Sequence, residues 1–222
     1  MAPAGPGLSN QPGRLLWRGM KGIDLLPLPR AFYEPSAAAV APALLGHWLV
    51  RQTPPGLCGG LIVEAEAYLC DDPACHAASG LRPRNRAMFG PPGHAYVYFI
   101  YGAHYCVNAV CRPAGTGEAV LIRALEPGLG QDLLARNRPA SGLRQLTNGP
   151  AKLCEAMGIN RQLDGADFCD AASGLFIARN PQADRFRSRQ GPIITTTRIG
   201  ITKAAHLPLR FYLEKSVFVS RK

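Results

Sequence analysis

The sequence predicts an α+β fold: one domain with a curved, mostly antiparallel sheet, short flanking helices and a protruding β-hairpin. Three observations carry that expectation. Apolar and polar residues alternate with period two in several short runs, the spacing that sends successive strand side chains to opposite faces. Turns rich in Gly and Pro separate those runs, with only a few helical stretches among them. Hydrophobic residues make up 47% of the 222 and charged residues 18%, enough apolar material for a buried core and too little charge for a disordered chain.

Taken in order, residues 1–20 are rich in Pro, Gly, Ala and Arg without a sustained period, and read as a flexible basic tail ahead of a domain spanning 21–222. Pro35 to Leu45 reads as an Ala-rich helix entered through Ser36 and limited by Pro42. His47 to Thr53 is a strand, Pro54-Pro55-Gly56 a turn, and Gly60 to Leu69 a second strand. In that strand Leu61, Val63, Ala65 and Ala67 alternate with Ile62, Glu64, Glu66 and Tyr68, so Glu64, Glu66 and Tyr68 share a face. A polar loop, Asp71 to Arg86, ends in Arg82, Arg84 and Arg86. Tyr96 to Ile100 and Tyr105 to Val110 pair as a hairpin around Tyr101-Gly102-Ala103-His104, where Gly102 supplies the permissive backbone. Ala119 to Leu125 is a further strand. Leu129 to Arg138 and Pro150 to Met157 are helices, the second with Asn148 as cap candidate and Gly158 behind it. Leu175 to Ile177, Thr195 to Ile201 and Leu209 to Val219 read as strands.

The formal net charge is +10, from 25 Lys and Arg against 15 Asp and Glu. Such an excess implies a polyanionic partner or an anionic surface. Twenty of those cations are arginine, which can fork onto a phosphate through two donors. The seven cysteines are odd in number and form no CxxC pair, so they read as reduced thiols. Cys70, Cys75 and His76 lack the spacing and second ligand pair of a zinc site, and no metal is expected there. Residues 87–111 carry no Asp, Glu, Lys or Arg, but five Gly and Pro residues interrupt them. A folded hairpin is expected there, with no membrane span.

The chemistry points to the face holding Glu64, Glu66 and Tyr68. Carboxylates on a sheet face are commonly solvated, but two neighbours argue otherwise. Four of the seven tyrosines, at 96, 98, 101 and 105, crowd the hairpin, and arginines at 82, 84, 86, 112 and 123 flank it. A basic surface interleaved with aromatics holds nucleic acid while stacking on exposed bases. Tyr101, at the hairpin tip, either packs under a neighbouring loop or protrudes as a wedge that unstacks a duplex.

At these residues the chain resembles a known family. Ile62-Val-Glu-Ala-Glu-Ala-Tyr68, His76, Pro83-Arg-Asn-Arg86, Tyr96-Val-Tyr98, Ile100-Tyr-Gly102, Cys106-Val-Asn108, Leu121-Ile-Arg-Ala-Leu-Glu-Pro127, Asn148-Gly-Pro-Ala-Lys-Leu-Cys154 and Pro208-Leu-Arg-Phe-Tyr212 are similar to the alkyladenine (3-methyladenine) DNA glycosylases. The resemblance implies an enzyme that flips alkylated or deaminated purines out of duplex DNA and hydrolyses the N-glycosidic bond, leaving an abasic site. Position by position, it implies Glu66 as general base, with Arg123 and the carbonyl of Ile199 holding the attacking water. It implies Tyr68, His76 and Tyr98 as the base sandwich, Asn108 as the residue discriminating against guanine, and Tyr101 as the inserted side chain. Arg84, Arg86 and Lys152 are the expected phosphate contacts. No cofactor is called for, a monomer is expected, and the place of action is wherever the DNA lies, a bacterial cytoplasm or a nucleus.

Three features depart from the family pattern: Cys70 follows Tyr68-Leu69 where Gly is frequent, the Tyr68 to His76 loop is a residue shorter than in vertebrate members, and Ala103-His104 replaces bulkier residues. With only five lysines, none in the tyrosine-carboxylate cluster, water is the expected nucleophile instead of a Schiff-base amine. Two rivals remain open at this point. A carbohydrate hydrolase would use Glu64 and Glu66 as its acid and base. A non-catalytic nucleic-acid-binding module would need only the charge and the aromatics.

Overall fold

The computed structural model describes residues 24–222, so the tail expected over residues 1–20 lies outside the described residues. In chain order the elements are α1 (Ala37–Leu44), β1 (Trp48–Thr53), β2 (Gly56–Tyr68), β3 (Ala95–Ile100), β4 (His104–Cys111), β5 (Glu118–Leu129), α2 (Gln131–Asn137), α3 (Leu143–Leu146), α4 (Pro150–Ala156), β6 (Leu175–Ala178), α5 (Ala183–Arg189), β7 (Ile193–Thr196) and β8 (Arg210–Leu213). All eight strands join one sheet in the order β3-β4-β5-β2-β1-β6, with β8 also on β2 and β7 on β8. Every ladder is antiparallel. The expected α+β architecture with an antiparallel sheet is what forms.

The sheet bends at β2. Along one edge this strand pairs first with β1 and then, from Glu64 to Glu66, with β8, while β5 runs along the other edge. Register shifts at Gly59/Gly60, Ile62/Glu64 and Glu64/Ala65 break the ladder with β5 and raise the local twist. Gly59 and Gly60 allow the close approach on both sides. A Cβ on Gly59 would stand 2.1 Å from the Leu49 carbonyl oxygen, and one on Gly60 2.4 Å from that of Glu126. No side chain fits there.

Period-two alternation then divides four strands into two faces. Val63, Ala65 and Ala67 of β2, Ala95 and Val97 of β3, Val107 and Ala109 of β4, and Val120, Ile122 and Ala124 of β5 enter the main core. Val40, Ala41 and Leu44 of α1, Leu134 of α2 and Leu153 and Cys154 of α4 are buried against them. The alternate positions, Glu64, Glu66, Tyr68, Tyr96, Tyr98, Cys106, Asn108, Leu121 and Arg123, lie on the other face. The fold thus sets an apolar layer behind a polar and aromatic one.

Local structure differs from expectation in places, each for a physical reason. Ser36 stands at the N-cap of α1 but makes no side-chain cap bond; the Ala37 amide donates instead to Glu118 Oε2 at 3.0 Å. Gly149, not Asn148, occupies the cap of α4, directly ahead of Pro150 in the first helical turn, and Asn148 Oδ1 instead accepts from Lys152 Nζ at 2.9 Å. The Asp71 to Arg86 segment contains two 3₁₀ turns, His76–Ser79 and Pro83–Phe89. The strand expected through Ile201 ends at Thr196, and the one expected through Val219 ends at Leu213. The helices α3 and α5 went unpredicted; α3 is a single turn of four residues. The uncharged stretch 87–111 forms the β3–β4 hairpin, and among the described residues no helix is long and apolar enough to cross a membrane.

Candidate active site

The polar face opens into a cavity of about 320 Å³. Tyr68, His76, Tyr98, Asn108, Arg123, Ile199 and Tyr101, all singled out from sequence, line this one space. Glu66 does not line it: its side chain is fully buried one layer down, beneath Tyr68, Arg123 and Ile199. Arg84 and Arg86 are exposed on the 3₁₀ turn that also supplies Met88 to the wall. Lys152 lies on α4, whose Pro150 and Ala151 reach the cavity, but its own ammonium is turned to Asn148.

Glu66 is held by three donors. Oε1 accepts from the Ile199 amide at 2.8 Å and lies 3.2 Å from Arg123 Nη1, and Oε2 accepts from the Tyr68 hydroxyl at 3.0 Å. An ionised carboxylate offers about four acceptor sites, so one remains for a water or a substrate group. Burial lifts the Glu66 pKa, and the Arg123 charge, the Ile199 amide and Tyr68 pull it back only in part, leaving it above the ordinary 4.5. A carboxylate poised in that direction is a better proton acceptor than a solvated one. Tyr68 in turn is held protonated, its pKa raised by burial and by the Glu66 charge.

Glu64 has the opposite environment. Its Oε1 accepts from Arg123 Nε (2.9 Å), Arg210 Nε (2.8 Å) and Ser220 Oγ (2.8 Å), and its Oε2 from the Ser220 amide (2.6 Å). Burial raises its pKa, but Arg123, the Ser220 amide and Arg210 outweigh that and hold it below 4.5. Four donors already occupy the Glu64 oxygens, against three on Glu66, so Glu64 has no acceptor site left for a substrate. A two-carboxylate glycoside hydrolase, which needs both groups at the sugar, does not fit this arrangement.

The aromatic wall is cross-braced. His76 Nδ1 lies 2.9 Å from the Tyr96 hydroxyl, and its ring meets that of Tyr98 edge-on at 4.6 Å between centroids. Burial and the Arg84 charge lower the His76 pKa, so the imidazole is neutral at pH 7. Asn108 is 4% exposed, and its Nδ2 donates to the Tyr96 carbonyl at 3.0 Å, which fixes how its amide meets the cavity. Tyr101 is 80% exposed with φ 53°, a conformation rare and strained for a bulky residue. The hairpin therefore presents an aromatic ring to solvent at the cavity mouth, not packed under a loop.

Two residues not found from sequence hold the walls together. Arg198, wholly buried, donates through Nη1 to the Asp72 carboxylate and to the Ala67 carbonyl (3.0 Å), and its guanidinium lies over the Tyr68 ring, 4.7 Å from the centroid. Cys106 and Leu121, which do line the cavity, were legible in principle from the same period-two spacing as Asn108 and Arg123. Cys75 keeps its sulfur on the Ala77 amide and the Gly117 carbonyl, and no cluster of His, Cys, Asp or Glu suited to a metal occurs among the described residues.

Comparison with known proteins points to a single family. Residues 31–217 match the model of a family described as "Methylpurine-DNA glycosylase (MPG)". A protein of Methanoculleus marisnigri is 49% identical over 197 residues, covering 89% of this chain and 100% of that one. Proteins of Carboxydothermus hydrogenoformans and Agrobacterium fabrum are 47% and 46% identical, each covering 88% of this chain and 99% and 93% of their own length. All three are named "Putative 3-methyladenine DNA glycosylase". The chain belongs to the methylpurine-DNA glycosylase family, DNA glycosylases of base-excision repair.

Proposed function

We propose that the cavity receives an alkylated or deaminated purine swung out of duplex DNA, and that Glu66 drives a water onto C1′ of its deoxyribose. The observation that carries this reading is a buried carboxylate with a raised pKa directly under an aromatic-walled cavity. At about 320 Å³ the space is near the small end of ligand pockets, which span roughly 300–1,000 Å³, and suits one base better than an oligosaccharide. Glu66 takes the proton as the water oxygen bonds to C1′, and the electron pair of the C1′–N bond leaves with the base. Arg123 and the Ile199 carbonyl help to hold that water. A purine alkylated at a ring nitrogen starts cationic and departs neutral, so it needs no acid. Hypoxanthine and ethenoadenine start neutral and need a proton from water or protein.

Tyr68, His76 and Tyr98 sandwich the base, and a cationic lesion gains from the electron-rich ring faces. Asn108, fixed by the Tyr96 carbonyl, crowds the 2-amino group of unmodified guanine. Arg84, Arg86 and Lys152 contact the phosphates, consistent with the net charge of +10. The protein acts as a monomer. The test is single-turnover base release from duplexes carrying 3-methyladenine, 7-methylguanine, hypoxanthine or ethenoadenine. Strand scission should appear only after alkali, since water and not an amine is the nucleophile. No release from any of the four would refute the reading, and scission without alkali would refute the water mechanism.

Tyr101→Ala should weaken capture of the flipped base about tenfold, since aromatic–base stacking contributes roughly 1–3 kcal/mol. Its exposure means the unfolding midpoint should stay near that of the wild type. Stopped-flow fluorescence of an ethenoadenine duplex is the check, and flipping at the wild-type level would remove the wedge role.

A further inference from the structure

We infer that the buried Asp72–Arg198 pair sets the preference of the cavity for cationic over neutral bases, by keeping the ring of Tyr68 free of net positive charge from behind. Arg198 covers one face of the Tyr68 ring, its guanidinium carbon 4.7 Å from the centroid. Tyr68 lines the cavity and Arg198 does not, so a base in the cavity meets the ring from the side away from the guanidinium. Both ions are sealed from solvent, with side-chain exposures of 0% for Arg198 and 1% for Asp72. Water screening is therefore weak between this pair and a ligand one ring away.

A lone cation in the place of Arg198 would oppose a second cation on the far side of the ring, because both draw on the same π-density. Asp72 cancels that opposition. Its Oδ2 binds Arg198, and its Oδ1 accepts from the Ala74 amide at 2.9 Å, so the carboxylate is held in place from both sides. The pair also spans two walls: Asp72 belongs to the loop carrying Ala74 and His76, and Arg198 precedes Ile199, whose amide binds Glu66. Glu66 and Arg123 pair with each other at 3.2 Å, and among the described residues Asp72 is the carboxylate in salt-bridge contact with Arg198. Arg198 Nε has no hydrogen-bond partner, so its plane is set by the Tyr68 ring and by the acceptors of its Nη groups. Asp72 and Arg198 touch no reacting atom; they are positioning residues that act through Tyr68.

This rests on the reading of the cavity as a base pocket, and the experiment separates the two. Binding is measured at pH 6 in the Glu66→Gln background, where no base is released, to duplexes holding 7-methylguanine (cationic, with its N1 proton in place) or ethenoadenine (neutral). Asp72→Asn should lower the cationic-to-neutral affinity ratio about tenfold, the scale of one charge acting across a ring at an effective dielectric of about 20. Arg198→Gln should raise the ratio, and Asp72→Asn/Arg198→Gln should bring it back near the parent value. A merely structural pair would weaken both ligands alike, leaving the ratio unmoved. Equal ratios in Arg198→Gln and the double variant, or shifts of one sign in both single variants, overturn the proposal. Should Asp72→Asn fail to fold with its uncompensated arginine, Arg198→Gln and the charge-neutral double variant still decide it. Absence of any preference for lesion duplex over undamaged duplex in the parent would instead fail the base-pocket reading itself.

Discussion

Glu66→Gln is expected to abolish base release while leaving the fold as stable as the wild type at pH 7, or more so. General base catalysis contributes about 10²–10⁴-fold, so single-turnover release should fall by at least about a hundredfold. The amide is isosteric: its oxygen can accept from the Ile199 amide and Arg123, and its nitrogen can donate to the Tyr68 hydroxyl, which rotates to accept. The stability sign follows from the raised pKa. A group whose folded pKa exceeds its unfolded value stabilises the fold below the unfolded value, and that contribution is lost as pH rises through the folded one. Ionised Glu66 therefore costs stability at neutral pH, and glutamine removes the cost. Activity has the reverse dependence, because only the ionised form accepts a proton. Wild-type release should decline as pH falls toward a point above 4.5, a limb that Glu66→Gln should lack. Paired rate and thermal-melting measurements check both halves, and release within a few-fold of wild type would remove Glu66 from the mechanism.

Much of this site was legible because it is written in strands. Alternation along Gly56–Tyr68 puts Glu64, Glu66 and Tyr68 on one face whatever the sheet does around them, and Tyr96 with Tyr98 and Asn108 with its neighbours follow the same rule. The hairpin was legible because Tyr101-Gly102 lies between two such runs. What period two does not encode is which distant groups meet the buried side of that face. Arg198 reaches Asp72 across 126 residues, Arg210 reaches Glu64 across 146, and Ser220 reaches it across 156. In the sequence these arginines are indistinguishable from the basic residues that cover the surface. Periodicity could not separate the two glutamates, and only the family resemblance singled out Glu66: both are Glu on one strand face, and what differs is the number and kind of their partners.

The anchor makes the largest stability prediction. Glu64→Ala leaves Arg123 and Arg210, 6% and 4% exposed, without the carboxylate that both of them bind. Removing one partner of a buried ion pair costs about 3–5 kcal/mol, because the remaining charge stays desolvated. Here two arginines lose that partner, although Arg123 keeps Glu66 at 3.2 Å. The Ser220 amide and hydroxyl lose their acceptor as well, so the C-terminal segment should loosen from β2. Glu64→Gln retains the shape without the charge and should fall between the alanine variant and the wild type. The pH dependence has the sign opposite to that of Glu66. A depressed folded pKa stabilises above the unfolded value, and that contribution is lost as pH falls through the folded one. The gap in urea unfolding free energy between wild type and Glu64→Ala should therefore be widest near neutrality and narrow in acid. A gap under about 1 kcal/mol at pH 7 would mean that the cluster is not what holds Arg123 in place. If the gap is as large as expected, Glu64 fixes the arginine at a cost in acid tolerance, while Glu66, on the same strand face, keeps one acceptor site open.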